Sequence, residues 1–418
     1  MNPHTYSQSM KTPFNDIVIG LIMMMIGTLG RQVFKMDEIL IVLGIISWFF
    51  ILRGILRLPL SSHANYFSYS YRLLLFFYIL ICVVMIIRGY FIDYRYQWTS
   101  SLSAIRFHLF DQYYILPYIM PVVVLIPYRY YRFDLIVKLS IILAVASIVL
   151  FSLFSSEIIL HSVLEEKGRN AEGLISGKEI VLYGKLSFIA LCSCYLTKRE
   201  WLFNIIGLAF VTLTLLIAAR RGSSFTYVCI LLFSLYTYSK NNNLNSKILV
   251  LVFLIAGFYF VMNSELLNYL YSRGFEDTHT SIQKAMLSQM SDFEKFFGQG
   301  LNGRYYFRLR EHDYLDGWRY GIETGFYNLV LKGGYLMAFT YILLLAIPAY
   351  KGLFKSNNQL CQAGGFYILL SLFELFPWGW LTFDIKFLII WIMIVICMNP
   401  ELRLMDNQEI EMQFFPTK

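Results

Sequence analysis

Charged residues are scarce in this chain. Only 15% of its 418 residues are Asp, Glu, Lys or Arg, whereas a soluble domain carries roughly 25%. Hydrophobic residues make up 57% of the sequence and gather into long runs. Crossing the hydrocarbon core of a bilayer takes about 20 mostly apolar residues, and the chain supplies such runs repeatedly. The sequence therefore excludes a soluble fold and predicts an all-α, polytopic integral membrane protein.

Cysteine and histidine patterns typical of disulfide or metal sites are also missing. The six cysteines lie within apolar runs and none forms a CxxC pair, so buried free thiols are expected. The histidines are scattered, with no HExxH or similar ligand spacing. We therefore expect neither a metal nor a cofactor. The polar amino-terminal segment lacks a small-residue cleavage motif, which predicts a retained first helix rather than a signal peptide.

The apolar runs predict a single membrane domain over 1–418 with about twelve transmembrane helices. Pro117, Pro121 and Pro127 interrupt the fourth run, where we expect a kinked helix. The predicted spans are 14–33, 37–54, 72–91, 108–127, 133–154, 178–196, 201–219, 223–239, 247–263, 324–349, 362–378 and 381–398.

The placement of basic residues predicts the orientation. The net charge of +8 does not indicate a nucleic-acid partner, because most basic residues stand in short tracts between apolar runs. With twelve spans these tracts share one side with both termini, which is predicted to be cytoplasmic. Two longer polar segments then lie outside: a smaller loop at 155–177 and a large loop at 264–323, between spans nine and ten. Long loops in compact proteins usually have a function.

Arginines at the external helix ends are the first candidate site residues. Arg220 and Arg221 precede Gly222 at the external junction of spans seven and eight. Either both arginines extend to lipid headgroups, or at least one binds a phosphate, which suits a planar guanidinium. Arg273 follows the ninth span, where it is either a solvated anchor or a second phosphate ligand. Arg169 in the smaller loop is by default a solvated charge.

The large loop contains two further candidates. Three glycines in Gly298-Gln299-Gly300-Leu301-Asn302-Gly303-Arg304 predict a turn whose backbone donors, with Arg304 and Arg310, hold an anion. Glu323 begins the motif that leads into the tenth span. It is either a charge favoured by the helix dipole or, if partly buried beside arginines, a general base for a sugar hydroxyl.

Together these residues resemble the O-antigen polymerase and ligase superfamily, bacterial membrane glycosyltransferases of the GT-C type. Members are similar in having about twelve spans, inward termini and one dominant late periplasmic loop. Arg221-Gly222 resembles their Arg-Gly pair at an external helix junction. Arg273 matches an arginine at the start of the loop, and Gly300 belongs to a Gly-x-Gly turn near its end.

The motif at Glu323 favours polymerase over ligase. Ligases place a histidine where this chain has Glu323, and the Glu-Thr-Gly version looks more like a Wzy-type polymerase. Such polymerases also show an arginine, ten residues and a glycine in their loops, a loose pattern that Arg310 and Gly321 match. No clean second copy occurs in the smaller loop near Arg169.

The resemblance implies a multi-pass protein of the bacterial inner membrane with a periplasmic active site. It would join repeat units carried on undecaprenyl pyrophosphate, donor and acceptor alike, with inversion and without metal. Arg221 and Arg273 would stabilise the pyrophosphate leaving group, and Glu323 would accept or orient the acceptor hydroxyl. Arg220, Arg310, Arg304, Arg169 and Gly300 would bind pyrophosphate or glycan. A chain-length regulator in the membrane is a further conceivable partner.

Two alternatives stay open at this point. A ligase would use similar arginines but transfer finished glycan to lipid A-core. A lipid-linked oligosaccharide flippase is a transporter with about twelve spans and basic residues, yet it would need neither the long external loop nor Glu323.

Overall fold

A computed structural model describes residues 12–34, 36–58, 67–89, 108–166, 180–217, 221–241, 279–308, 317–377 and 379–415. Within them the chain is almost entirely helical, with one two-stranded antiparallel pair. It forms two compact units: unit 1 comprises 1–132 and 278–405, and unit 2 comprises 133–277 and 406–418.

The long helices follow the apolar runs of the sequence, and short polar helices lie between or after them. In unit 1 they are α1 (Thr12–Phe34), α2 (Asp37–Arg57), α3 (Tyr69–Ile87), α8 (His279–Gln289), α9 (Asp292–Phe297), α10 (Gly325–Phe354), α11 (Gln359–Glu374), α12 (Ile385–Met398) and α13 (Pro400–Leu404). In unit 2 they are α4 (Asp134–Glu166), α5 (Phe188–Leu191), α6 (Lys198–Ile217), α7 (Arg221–Asn241) and α14 (Asn407–Phe414).

Six helices in the described ranges are long and apolar enough to cross a membrane. Their spanning segments are Pro13–Arg31, Asp37–Arg57, Tyr69–Ile87, Asp134–Glu157, Lys198–Leu216 and Gly325–Phe354. The prediction of an all-α, multi-pass membrane protein is thereby confirmed. The count of twelve spans stays a prediction, because the ninth, at 247–263, lies outside the described residues.

Close helix packing in unit 1 depends on small residues. A Cβ atom on Gly20 of α1 would lie 2.7 Å from the carbonyl oxygen of Ser47 in α2. One on Gly54 of α2 would lie 2.6 Å from the carbonyl oxygen of Pro13. Without side chains at these positions the two helix backbones approach closely, which in a membrane is a main source of helix association.

Helix α12 forms the centre of unit 1. All its residues are buried except Lys386, which matches a sequence that is apolar on every face. A side chain caps its N-terminus: Asp384 accepts a hydrogen bond from the Phe387 amide at 3.2 Å. Asn399, just after its last residue, caps the next helix, α13, by accepting a hydrogen bond from the Glu401 amide at 2.9 Å. The caps satisfy backbone groups that have no intrahelical partner at helix ends.

Helix α10 is interrupted at Gly334, where φ is 73° and ψ is 179°. The carbonyl groups before the break accept hydrogen bonds from the loop instead: Gln299 donates to Leu331 at 2.8 Å, and Gly300 donates to Lys332 at 2.9 Å. Broken backbone is tolerated at membrane depth where protein groups satisfy it. Gly334 thus lets the large loop pack directly onto a spanning segment.

Two predicted spans are not continuous α-helices. The fourth, at 108–127, contains 3-10 helix at Leu116–Tyr118 and Met120–Leu125, preceded by turns, and a further 3-10 turn follows at Tyr128–Tyr130. Prolines there remove amide donors and so prevent a regular α-helix. The sixth, at 178–196, is likewise divided, into Ile180–Leu186, α5 and Ser193–Tyr195.

Unit 2 packs around α4, α6 and α7. A Cβ on Gly207 of α6 would lie 2.6 Å from the Cβ of Ala144 in α4, and Trp201 stacks on Tyr238 of α7 with ring centroids 3.7 Å apart. Helix α4 continues to Glu166, with a non-helical residue at Phe154. The first part of the predicted smaller loop, 155–177, is therefore helical, and 167–179 lies outside the described residues.

Candidate functional site

The described part of the large predicted loop begins with α8 and α9. Ser291 caps α9 in a reciprocal pair with Glu294, and the helix ends at Gly298 with φ of 75°. A Cβ on Gly298 would overlap the backbone of Lys332, so only glycine fits. Ser291 therefore caps the start of α9, Gly298 ends it, and the chain then packs against the break in α10.

Most backbone donors of the glycine turn, residues 298–304, are already occupied. The amides of Gln299 and Gly300 donate to α10, that of Leu301 donates to Met85 at 3.1 Å, and that of Gly303 donates to Gly300 at 2.9 Å. The Arg304 amide donates to the Gln299 side chain at 2.9 Å. The prediction that these donors hold an anion is contradicted, because carbonyl oxygens already occupy them.

Gly300 has a packing role in the structure, and its part in substrate binding stays a prediction. Its φ is 86°, and a Cβ there would lie 2.9 Å from the amide nitrogen of Gly89 at the end of α3. Next to it, the Asn302 side chain donates to the Gly89 carbonyl at 2.8 Å and accepts a hydrogen bond from the Tyr114 hydroxyl. The turn thus joins α3, the segment before the 3-10 helices, and α10.

A buried lysine lies under this turn. Lys332 is only 5% exposed, and its Nζ donates to the carbonyl oxygen of Leu301 at 2.8 Å. The carboxylate of Asp111 is close enough to attract its charge. A buried cation is costly unless it is hydrogen-bonded and paired, so these contacts are what allow it here.

A short two-stranded ribbon, Tyr305–Tyr306 paired with Trp318–Arg319, follows the turn. Gln289 of α8 holds its edge: the Tyr306 amide donates to Gln289 Oε1 at 2.7 Å, and Gln289 Nε2 donates to the Tyr306 carbonyl at 2.9 Å. One side-chain amide thereby replaces a neighbouring strand.

Two half-buried arginines are fixed on this ribbon. The guanidinium carbon of Arg304 lies 4.5 Å from the centroid of the Trp318 ring, a cation–π contact. Arg319 stands opposite Tyr305 in the register, and its Nε donates to the Phe307 carbonyl at 3.4 Å. The ribbon therefore presents two cations whose positions are set by aromatic and backbone partners.

Glu323 lies close to the same ribbon. Burial raises the pKa of Tyr305 to about 12; Arg319 opposes this rise, and the Glu323 carboxylate adds to it. The strand register places Arg319 opposite Tyr305, and the Tyr305 hydroxyl donates to the carbonyl of Gly321, two residues before Glu323, at 3.2 Å. An arginine, a carboxylate and a phenol thus meet beside the start of α10.

The side chain of Glu323 is exposed, which contradicts the partial burial that was expected to tune it as a base. Its backbone surroundings are nevertheless fixed. Trp380 donates to the Ile322 carbonyl at 2.6 Å, and Gln283 donates to the Thr324 hydroxyl at 3.2 Å. The carboxylate stands one residue before the N-cap of α10, where the helix dipole also favours it.

The structure does not describe the side chains of most arginines that were predicted as site residues. Arg169, Arg220, Arg273 and Arg310 are outside the described residues. Arg221 begins α7 in unit 2, and its side chain is not described. Among the predicted site residues, the structure brings Arg304, Gly300 and Glu323 to one end of unit 1.

No family model matches the chain. Comparisons with curated proteins and with solved structures likewise find no match. Function therefore has to be argued from the chemistry of the site.

Sequence reasoning missed three of the charged groups at this end of unit 1. They are Arg319, Lys332 and Arg88. Arg88 donates to the Phe297 carbonyl at 3.0 Å and lies 5.7 Å from the Phe293 ring centroid. The usable signal was an intramembrane lysine at 332, since ionisable residues inside spanning helices are rare.

Proposed function

We propose that this protein is a membrane glycosyltransferase that polymerises undecaprenyl-pyrophosphate-linked oligosaccharide units into O-antigen or a related surface polysaccharide. It would have the twelve-span, GT-C type architecture and act at the periplasmic face of the bacterial inner membrane. The observation that carries the proposal is the exposed Glu323 near Tyr305 and Arg319 of a braced ribbon, with Arg304 held on the Trp318 ring of that ribbon.

The reaction joins an acceptor hydroxyl to the anomeric carbon of the donor glycan. The hydroxyl oxygen attacks that carbon from the face opposite the leaving group, and the bond from carbon to pyrophosphate oxygen breaks with inversion. Glu323 accepts the hydroxyl proton, and undecaprenyl pyrophosphate departs with the bonding electron pair. Exposure leaves Glu323 without the burial that was expected to tune it as a base, but it keeps the carboxylate within reach of the hydroxyl of an incoming chain.

The reaction develops negative charge on the pyrophosphate leaving group, and arginines would stabilise that charge. Cations already held in place stabilise that charge without reorganisation. Arg304 and Arg319 are restrained by the Trp318 ring and the Phe307 carbonyl respectively. In the proposal, Arg221 and Arg273 share this task, and Arg220, Arg310 and Arg169 guide phosphate or glycan.

The test is a gel of surface glycan from a deletion strain complemented with wild type or variants. We expect a single repeat unit on the core in the deletion and a full ladder with wild type. Glu323→Gln and Arg273→Ala should lose the ladder at unchanged protein level. The control is Asp292→Asn, which removes a carboxylate that is 99% exposed in the same loop.

Each contrary outcome has a distinct meaning. A normal ladder from Glu323→Gln would remove that residue from the mechanism. Unligated long polymer in the deletion strain would indicate a ligase. Loss of all external repeat units would indicate a flippase.

A further inference from the structure

An apolar slot of about 170 Å³ opens between α1, α2, the 3-10 stretch and the start of α12. Every residue that lines it is hydrophobic, from Trp48, Phe383 and Leu388 at one end to Ile17, Leu58 and Ile126 at the other. Ile55 and Val122 line opposite walls and are 46% and 47% exposed. The slot is therefore open along its side.

The length of the slot matches one half of a bilayer. From Trp48 to Leu58 the chain advances about 15 Å at ~1.5 Å per residue. The hydrocarbon core is about 30 Å thick, so the slot is about as long as one leaflet is deep. A single extended hydrocarbon chain fits that shape better than a folded side chain or a sugar.

The Leu58 end of the slot carries excess positive charge. Arg53 and Arg57 of α2 both contact the Asp16 carboxylate of α1, at 3.0 Å and 3.4 Å. Two guanidinium groups share one carboxylate, which leaves one positive charge uncompensated by that contact. Asp16 adjoins Ile17 and Arg57 adjoins Leu58, so this charge lies where a headgroup would be if a chain filled the slot.

We propose that the slot binds one acyl chain of an anionic glycerophospholipid, whose phosphate contacts Arg57. The side chain of Arg57 is 47% exposed and accessible to a headgroup. A polyprenyl substrate would enter from the other side. Arg53 and Arg57 lie at the end of the second predicted span and in the predicted cytoplasmic loop that follows it, whereas Glu323 lies in the predicted external loop. The proposal is thus independent of the glycosyltransferase reaction.

Native mass spectrometry of the full chain in detergent tests it. Delipidated protein is titrated with phosphatidylglycerol, phosphatidylethanolamine or undecaprenyl phosphate. We expect one phosphatidylglycerol per chain, which Ile55→Trp and Val122→Trp each displace by filling the slot from opposite walls. The matched control is Leu56→Trp, on the neighbouring position of α2 that is 84% exposed, and it should bind as wild type does.

A substitution of Arg57 tests whether this side chain recognises the lipid headgroup. Arg57→Gln should lower the preference for phosphatidylglycerol over phosphatidylethanolamine roughly five-fold, the effect of one cation near an anionic lipid. Arg72→Gln, an exposed arginine in the same predicted tract, should leave it unchanged. Equal binding by the filling variants and Leu56→Trp would overturn the proposal. So would undecaprenyl phosphate replacing the phospholipid one for one, or an Arg57→Gln variant with unaltered preference.

Discussion

Replacing Gly334 by alanine tests how the large loop is attached to α10. The backbone there has φ of 73° and ψ of 179°, a region used almost only by glycine, and forcing another residue into it costs about 1–3 kcal/mol. An added Cβ would also overlap the Phe296 carbonyl oxygen and lie 2.5 Å from the Phe297 amide nitrogen. Overpacking of this kind costs a further ~1–3 kcal/mol.

The backbone strain and the overpacking together should lower the free energy of unfolding by about 4 kcal/mol. For a domain of this size that lowers the unfolding temperature by roughly 8–16 °C. A thiol-reactive fluorophore measures it in detergent, because Cys82, Cys361 and Cys397 are buried free thiols in unit 1. They react only when the unit opens.

Gly321→Ala is the matched control. Its Cβ would meet Trp380 at 3.3 Å and Asn328 at 3.4 Å, close to ordinary contact distances, and no positive φ is involved. We expect a change of less than about 1 kcal/mol, the usual scale for a tolerated substitution. If Gly334→Ala unfolds no earlier than Gly321→Ala, the break in α10 does not depend on that glycine.

Three further predictions use the same thermal assay. Lys386→Met leaves the buried Glu374, 7% exposed, without its ion-pair partner and should lower the free energy of unfolding by about 3–5 kcal/mol. Adding Glu374→Gln should recover most of that loss, and no recovery would contradict burial of the pair. Asp384→Ala removes the cap of α12 and should cost ~1 kcal/mol, whereas Asp384→Asn should cost less; equal losses would exclude a capping role. Tyr305→Phe loses the bond to Gly321, worth about 0.5–1.5 kcal/mol. Because burial raises the pKa of Tyr305 to about 12, that difference should be fully present up to pH 10 and disappear as the pH rises through about 12. A difference already lost at pH 9 would contradict this burial.

Composition and hydrophobic runs were enough to predict the class of fold. Helices α1, α2, α6 and α11 lie within a few residues of the predicted spans, because a bilayer requires every backbone group to be paired inside a long apolar helix. The spans predicted from apolar runs were wrong in two places. At 108–127 prolines remove amide donors and prevent a continuous α-helix, and α4 extends past its apolar stretch to Glu166. Apolar length alone does not distinguish α-helix from 3-10 turns.

The candidate site shows the same division between local and long-range information. Residue types and their spacing predicted Glu323, Arg304 and the glycine turn as candidates, since these residue types are unusual beside spanning helices. The occupation of the turn's amides by carbonyl oxygens and the exposure of Glu323 follow from long-range contacts that the sequence does not reveal. The tertiary structure also decided that Arg319 lies at the ribbon.

The physical reason is sequence separation. Gly300 donates to Lys332, Leu301 donates to Met85, and Asn302 donates to Gly89, contacts between segments that are far apart in the chain. Periodicity and composition describe what a segment prefers by itself, so they predict helices and membrane burial. Which donors are already occupied, and which charges remain open to a substrate, depends on the partner that folding brings to each group.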